Sequence, residues 1–203
     1  MIDNLIYVEN LSSPEIDRSE ILRYAGVRVS DDETDRMLDD CIALADGKSS
    51  ALVCYRIFDI KVEENIVDLG FARTSSRSLI RTMAGCDKAV VFCATIGSEI
   101  DRLIARNSLT SPAKAIILQA LGSERVEAVC EAFCRKISDT VSQMGYVCTG
   151  RFSPGYGDLP LELQRDIFNT LDCTVKIGVN LNENLFMTPT KSVTAIIGLK
   201  SVK

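Results

Sequence analysis

The sequence predicts an α+β protein, a largely antiparallel mixed sheet packed with one long helix and several shorter ones. Three observations carry that expectation. Residues 51–60 and 88–95 are apolar runs rich in β-formers and read as strands, the second buried on both faces. A stretch from Pro112 to about residue 144 repeats apolar side chains at roughly helical spacing. Helices and strands cluster without the strict alternation that marks βαβ units.

In chain order, Ile2, Leu5, Ile6 and Val8 predict an opening strand, and residues 16–24 a short helix closed by Gly26. Ser30 followed by Glu33 reads as a capping box. The helix it starts carries Met37, Leu38, Ile42 and Leu44 and stops at Gly47. After the strand at 51–60, residues 61–65 read as a turn and 66–71 as a second apolar run, which suggests a meander. Residues 76–84 predict a short helix ending at Gly85. The run at 88–95 breaks at Gly97, and Ser98 is placed to cap a helix over 99–105. Strand, small-residue turn and helix start can bind an anion, and they are also the ordinary way a sheet connects to a helix.

Pro112 suits the first turn of the long helix, and Gly122 marks an irregularity within it. Glu127 sits among small apolar neighbours, either a carboxylate at the edge of a buried stripe or one aimed at a ligand's amine. Beyond Pro160, residues 161–171 form an amphipathic helix, and 174–179 and 192–199 read as strands. A polar cluster at 180–184 and a turn at 188–191 separate them. The chain divides into an N-terminal α/β portion, 1–87, and a portion at 88–203, expected to pack as one compact unit.

Residues 151–158, RFSPGYGD, are the stretch best suited to a ligand. A fixed-φ Pro154 precedes Gly155 and Gly157, which flank Tyr156, so the segment turns tightly and exposes backbone amides. Arg151 can grip a carboxylate with two parallel hydrogen bonds, and Tyr156 can cover a flat or hydroxyl-bearing group. Those residues alone describe a binding loop for a small anionic or zwitterionic molecule.

The bulk numbers exclude several classes. Hydrophobic residues make up 46% and charged residues 25% of 203, enough for a real core. A net charge of −5 argues against general nucleic-acid binding, which rests on basic patches. No run approaches the length of a membrane span and the first residues lack a signal-peptide pattern, so a cytoplasmic location is expected. The eight cysteines include no C-x-x-C pair and histidine is absent, so no metal site is expected. Cys130 and Cys134, one helical turn apart, fit small buried hydrophobes better than shared ligands. Disulfides are not expected in a reducing compartment.

Several separated elements then fall in a recognisable order: Arg151, Pro154, Gly155 and Tyr156; Gly178, Leu181 and Glu183; Met187 and Pro189; Ser192 and Val193. In this order and spacing the C-terminal half resembles the activation domain of cobalamin-dependent methionine synthase. The similarity extends more weakly through Phe92, Thr95 and Gly97 to the helix with Ala120, Leu121 and Glu127, covering roughly residues 88–199. The resemblance implies an S-adenosylmethionine site. Arg151 would hold the methionyl carboxylate, Glu127 the amino or ribosyl end, and the backbone at Ser153 and Gly155 would face the ligand. Tyr156 would stand between that ligand and the corrin.

The implied activity is repair, in which one-electron reduction of cob(II)alamin is followed by methyl transfer from S-adenosylmethionine. Cobalt is the nucleophile, so no catalytic side chain and no metal ligand are expected. The chain lacks a corrinoid-binding Asp-x-His-x-x-Gly motif, so cobalamin would arrive on a partner methionine synthase. A one-electron donor such as a flavodoxin or ferredoxin would complete the system. The alternatives are a reactivator of a different corrinoid methyltransferase and a non-catalytic docking module for a corrinoid protein.

Overall fold

The protein is described here over residues 5–202 of a computed structural model. The first part of the chain runs β1 (Tyr7–Asn10), α1 (Arg18–Tyr24), α2 (Asp32–Ala45) and β2 (Leu52–Asp59). A small antiparallel meander follows, β3 (Lys61–Val62), β4 (Val67–Asp68) and β5 (Arg73–Thr74), then α3 (Arg77–Thr82). Next come β6 (Lys88–Thr95), α4 (Glu99–Ser108), α5 (Pro112–Ser142) and β7 (Tyr146–Cys148). The remainder is α6 (Leu163–Leu171), α7 (Cys173–Ile177), β8 (Asn180–Leu181), β9 (Met187–Thr188) and β10 (Ser192–Ser201).

The main sheet has the order β1-β2-β6-β10-β7, and every neighbour pair in it is antiparallel. β6 is paired along its whole length on both sides, from Leu52↔Thr95 to Asp59↔Lys88 and from Ser192↔Thr95 to Leu199↔Lys88. Its side chains alternate between two covered faces. Val90, Phe92 and Ala94 pack with α1, α2, α4 and α5, and Phe92 meets the Phe133 ring at 4.8 Å between centroids. Ala89, Val91 and Cys93 pack with α3, α6 and α7. A strand buried on both faces needs an apolar side chain at almost every position, which is why 88–95 reads as a continuous run.

Helix α5 spans 31 residues without interruption, so the irregularity expected at Gly122 is absent. Gly122 serves close packing instead. A Cβ there would stand 2.8 Å from Lys191 Cε and 2.9 Å from Ile100 Cγ2, inside van der Waals contact with two buried side chains. Two residues on, Glu124 and Arg125 form a buried ion pair. Arg125 donates to the carbonyls of Pro14 and Glu15, each at 2.6 Å, and Glu124 accepts from the Asp17 N–H at 3.1 Å. This clasp fixes the segment that leads into α1.

Residues 174–179 are not a strand. Asp172 takes the left-handed conformation at φ 51° and lets α7 start directly after α6, while Gly178 closes it at φ 70°. Cys173 and Ile177, four apart, are buried while Val175 is 76% exposed, the pattern of one helical face. Tertiary packing overrides the β-branched composition. The cap of α2 is Asp31, whose side chain accepts from Thr34 N at 2.8 Å; the Ser30 hydroxyl turns to Asp35 instead. Ser98 precedes α4 but makes no side-chain cap bond. Lys61 and Val62 belong to β3 rather than to the expected turn. Of the opening strand, Val8 lies in β1 and Ile2 lies outside the described residues.

Candidate functional site

The loop after β7 is fixed at both ends. Phe152 exchanges two backbone hydrogen bonds with Ile196 of β10, at 2.8 and 2.9 Å. Extending that register would set Pro154, which has no N–H, against Thr194, so the ladder stops and the chain turns away. Tyr156 N–H closes the turn on the Ser153 carbonyl at 3.2 Å, and Gly155 N–H reaches the Leu159 carbonyl at 2.9 Å. Gly155 at φ 88° and Gly157 at φ 57° supply the left-handed backbone this path requires. At the far end the Asp158 carboxylate accepts from Ser76 Oγ at 2.6 Å and from the N–H groups of Arg77 and Ser78 at 2.8 and 3.1 Å. The Ser76 hydroxyl and the Ser78 amide hold that carboxyl well below the usual carboxylate range.

Where the loop leaves β10, a cavity of about 470 Å³ opens. Its wall includes Glu127 of α5, Arg151, Ser153, Pro154 and Tyr156 of the loop, Gln164 of α6, Met187 of β9, and Ser192, Val193 and Thr194 of β10. Tyr24 at the end of α1 joins them. Four of the residues singled out from sequence, Glu127, Arg151, Ser153 and Tyr156, therefore meet at one cavity. Gly155 is not among the lining residues; it shapes the turn, against Leu161.

Arg151 and Glu127 are bonded to each other, joining loop to helix. Burial works against the charge of Arg151, but its bond to the Glu127 carboxylate more than restores it, and the guanidinium stays protonated above its ordinary value. One guanidinium nitrogen is engaged by that bond, and the group has further N–H donors to offer. Tyr156 stands 68% exposed at the rim. Behind Arg151, burial pushes the Cys130 thiol up to about 12 and raises Cys134, so neither is a reactive thiolate. All eight cysteines are free.

Three wall residues are not evident from sequence. Tyr24 comes from the N-terminal portion, and its ring carries the Arg23 guanidinium 4.4 Å above its centroid. Gln164 is a polar residue among the buried positions Leu163, Ile167, Phe168 and Leu171 of an amphipathic helix. A buried amide on an apolar face was the available signal. Thr194 reads as an ordinary β-former and gives none. Among the described residues no group of three or more His, Cys, Asp or Glu side chains is placed to hold a metal ion. No described helix is long and apolar enough to cross a membrane.

No curated protein matches the chain. Among solved structures, the crystal structure of the MetH reactivation domain bound to AdoHcy superposes with a TM-score of 0.69. The match covers 95% of this chain and 78% of that one at 15% sequence identity, a likeness of fold. The sequence model for the activation domain of vitamin B12-dependent methionine synthase matches residues 79–201, well over half of the chain. With its antiparallel sheet, long helix and Arg151 loop, this chain belongs to the family of vitamin B12-dependent methionine synthase activation domains.

Proposed function

We propose that the chain binds S-adenosylmethionine in the cavity between α5, β10 and the Arg151 loop, and supports reductive remethylation of a cobalamin carried by a partner methionine synthase. The observation that carries this reading is the convergence of Arg151, Glu127 and Tyr156 on one cavity of about 470 Å³, within the range typical of small-molecule sites. Arg151 meets the ligand's carboxylate with the N–H groups that Glu127 leaves available. Glu127 balances the ammonium and the sulfonium charge. Ser153 offers backbone to the ligand, Gly155 holds the turn that presents it, and the exposed ring of Tyr156 lies between the ligand and the corrin.

The residues fit a role of orientation. Cobalamin held by the partner would supply the nucleophilic cobalt, with a flavodoxin or ferredoxin as the class of one-electron donor that would reduce it. Methyl transfer breaks the sulfonium S–CH3 bond and leaves S-adenosylhomocysteine. The protein's part is to hold the methyl in line with the incoming cobalt, a gain from proximity that needs no general base.

Calorimetric titration with S-adenosylmethionine, beside the Arg151→Ala variant, tests this. Saturable binding that the variant loses is expected. Absence of binding, alone and with a cobalamin-loaded partner, overturns the reading. The closed Arg151–Glu127 pair favours a second reading, a docking module for a corrinoid protein in which Arg151 is only structural. That reading requires wild type and variant to be equally inert toward the ligand while still binding the partner.

A further inference from the structure

The cavity wall contains two polar atoms for which the protein supplies no hydrogen-bond partner, Gln164 Oε1 and Thr194 Oγ1. Their residues are 6% and 2% exposed and both line the cavity, so a partner can reach them only from the cavity side. Buried polar atoms are almost always bonded, and two orphans on one cavity wall need an explanation. The neighbouring hydroxyl shows the contrast. Ser192 is engaged by Thr95 Oγ1 at 2.9 Å and by the Pro189 carbonyl at 2.8 Å, so it serves the fold.

The backbone extends the same surface. Ile196 turns its N–H and C=O toward Phe152, and hydrogen-bonding direction alternates along an antiparallel strand. Thr194, two residues earlier, therefore turns its own N–H and C=O to the same edge, where Pro154 has ended the ladder. Gln164 lines the same cavity from α6, at a position where an apolar side chain would pack without an orphaned carbonyl.

We propose that Gln164 and Thr194 form the part of the site that reads an amino group of the ligand, with Gln164 Oε1 and Thr194 Oγ1 accepting its N–H donors. The amide oxygen only accepts, and the orphaned hydroxyl can accept as well as donate, so the chemistry the two share is the capture of a donor. This rests on the S-adenosyl reading above. S-adenosylmethionine carries two such groups, the α-ammonium and the 6-amino group of adenine. A site built around a ligand N–H discriminates strongly against an analogue lacking it, because its own polar atoms are then left buried and unpaired.

The test is calorimetric titration of wild type, Gln164→Leu, Gln164→Glu and Thr194→Val with S-adenosylhomocysteine, with folding checked by thermal melts. Gln164→Leu is expected to weaken binding about tenfold or more and Thr194→Val about fivefold. Gln164→Glu keeps an acceptor in place and is expected to hold affinity within about threefold. Two analogues locate the amino group. If wild type discriminates against S-inosylhomocysteine, the purine amino group is read; if against the desamino analogue of S-adenosylhomocysteine, which keeps the carboxylate that Arg151 meets, the α-ammonium is. Gln164→Leu should erase that discrimination. The wild-type comparison needs no variant, so a Gln164→Leu protein that fails to fold does not block the test. Wild-type binding that Gln164→Leu and Thr194→Val leave within about twofold overturns the subsite and leaves the S-adenosyl reading standing. No binding by wild type overturns both.

Discussion

Arg151 on the loop and Glu127 on α5 form an ion pair at the cavity, with side chains 27% and 35% exposed. The pair is wet enough to contribute little to stability and buried enough to hold two opposite charges where a zwitterion would lie. Arg151→Ala should therefore weaken S-adenosylmethionine binding by about 2 kcal/mol, roughly thirtyfold, while changing unfolding free energy by about 1 kcal/mol or less. Titration and urea melts of the same preparations check both halves. Unchanged affinity would remove Arg151 from the ligand site.

Tyr156, two-thirds exposed, gives the fold almost nothing to lose. Tyr156→Phe should leave stability within about 0.5 kcal/mol of wild type. Its effect should fall on remethylation of a cobalamin-loaded partner more than on S-adenosylmethionine binding. The comparison is a single-turnover methylation assay beside a titration; equal losses in the two would make Tyr156 a ligand contact only.

Asp158 ties the loop to the start of α3. Its folded pKa is depressed below the ordinary 3.8 by the Ser76 hydroxyl and the Ser78 amide, so the ionised form is the stabilising one. That contribution is fully present above the unfolded value and is lost as pH falls through the folded one. Asp158→Asn should lower the melting temperature by a constant amount from about pH 7 to about pH 5, and the gap should narrow as pH falls below about 4. A gap independent of pH would show that geometry rather than charge does the holding.

Gly122 has no room for a methyl group. Gly122→Ala should destabilise by about 1–3 kcal/mol, because the new Cβ drives into Ile100 and the buried stem of Lys191. Denaturant unfolding measures it. Neutral or improved stability would mean that Ile100 of α4 and the Lys191 side chain can give way at no cost, and that helix propensity decides the site.

The sequence is most informative where one physical signal acts alone. β6 is apolar on both faces and its bounds follow directly; Pro112 starts α5 as its missing N–H allows. Residues 174–179 mislead because Thr174 and Val175 suit a strand locally, while the left-handed Asp172 and the buried pair Cys173 and Ile177 impose a helix. The same limit applies at the site. Arg151, Ser153 and Tyr156 lie within six residues and share a turn, so their meeting is written locally. Glu127 stands out by its apolar neighbours, which leave a core edge and a ligand contact both open, and family resemblance assigns it the ligand role. Tyr24, Gln164 and Thr194 reach the cavity on three separate elements, and only the packing of those elements reveals them.

The position of β10 inside the sheet bears on how the molecule folds. Ser192 must find Thr95 across 97 intervening steps of chain before β6 is flanked on its second side. Long-range pairing of this kind is slow, because loop-closure entropy is lost before contacts compensate for it. Until it happens, β6 presents six consecutive apolar residues, Ala89 to Ala94, with one unpaired edge, a template for aggregation. The cavity wall made by Ser192, Val193 and Thr194 exists only after that step. A ligand bound there acts on the completed sheet alone, and by mass action it draws late folding intermediates toward the native state.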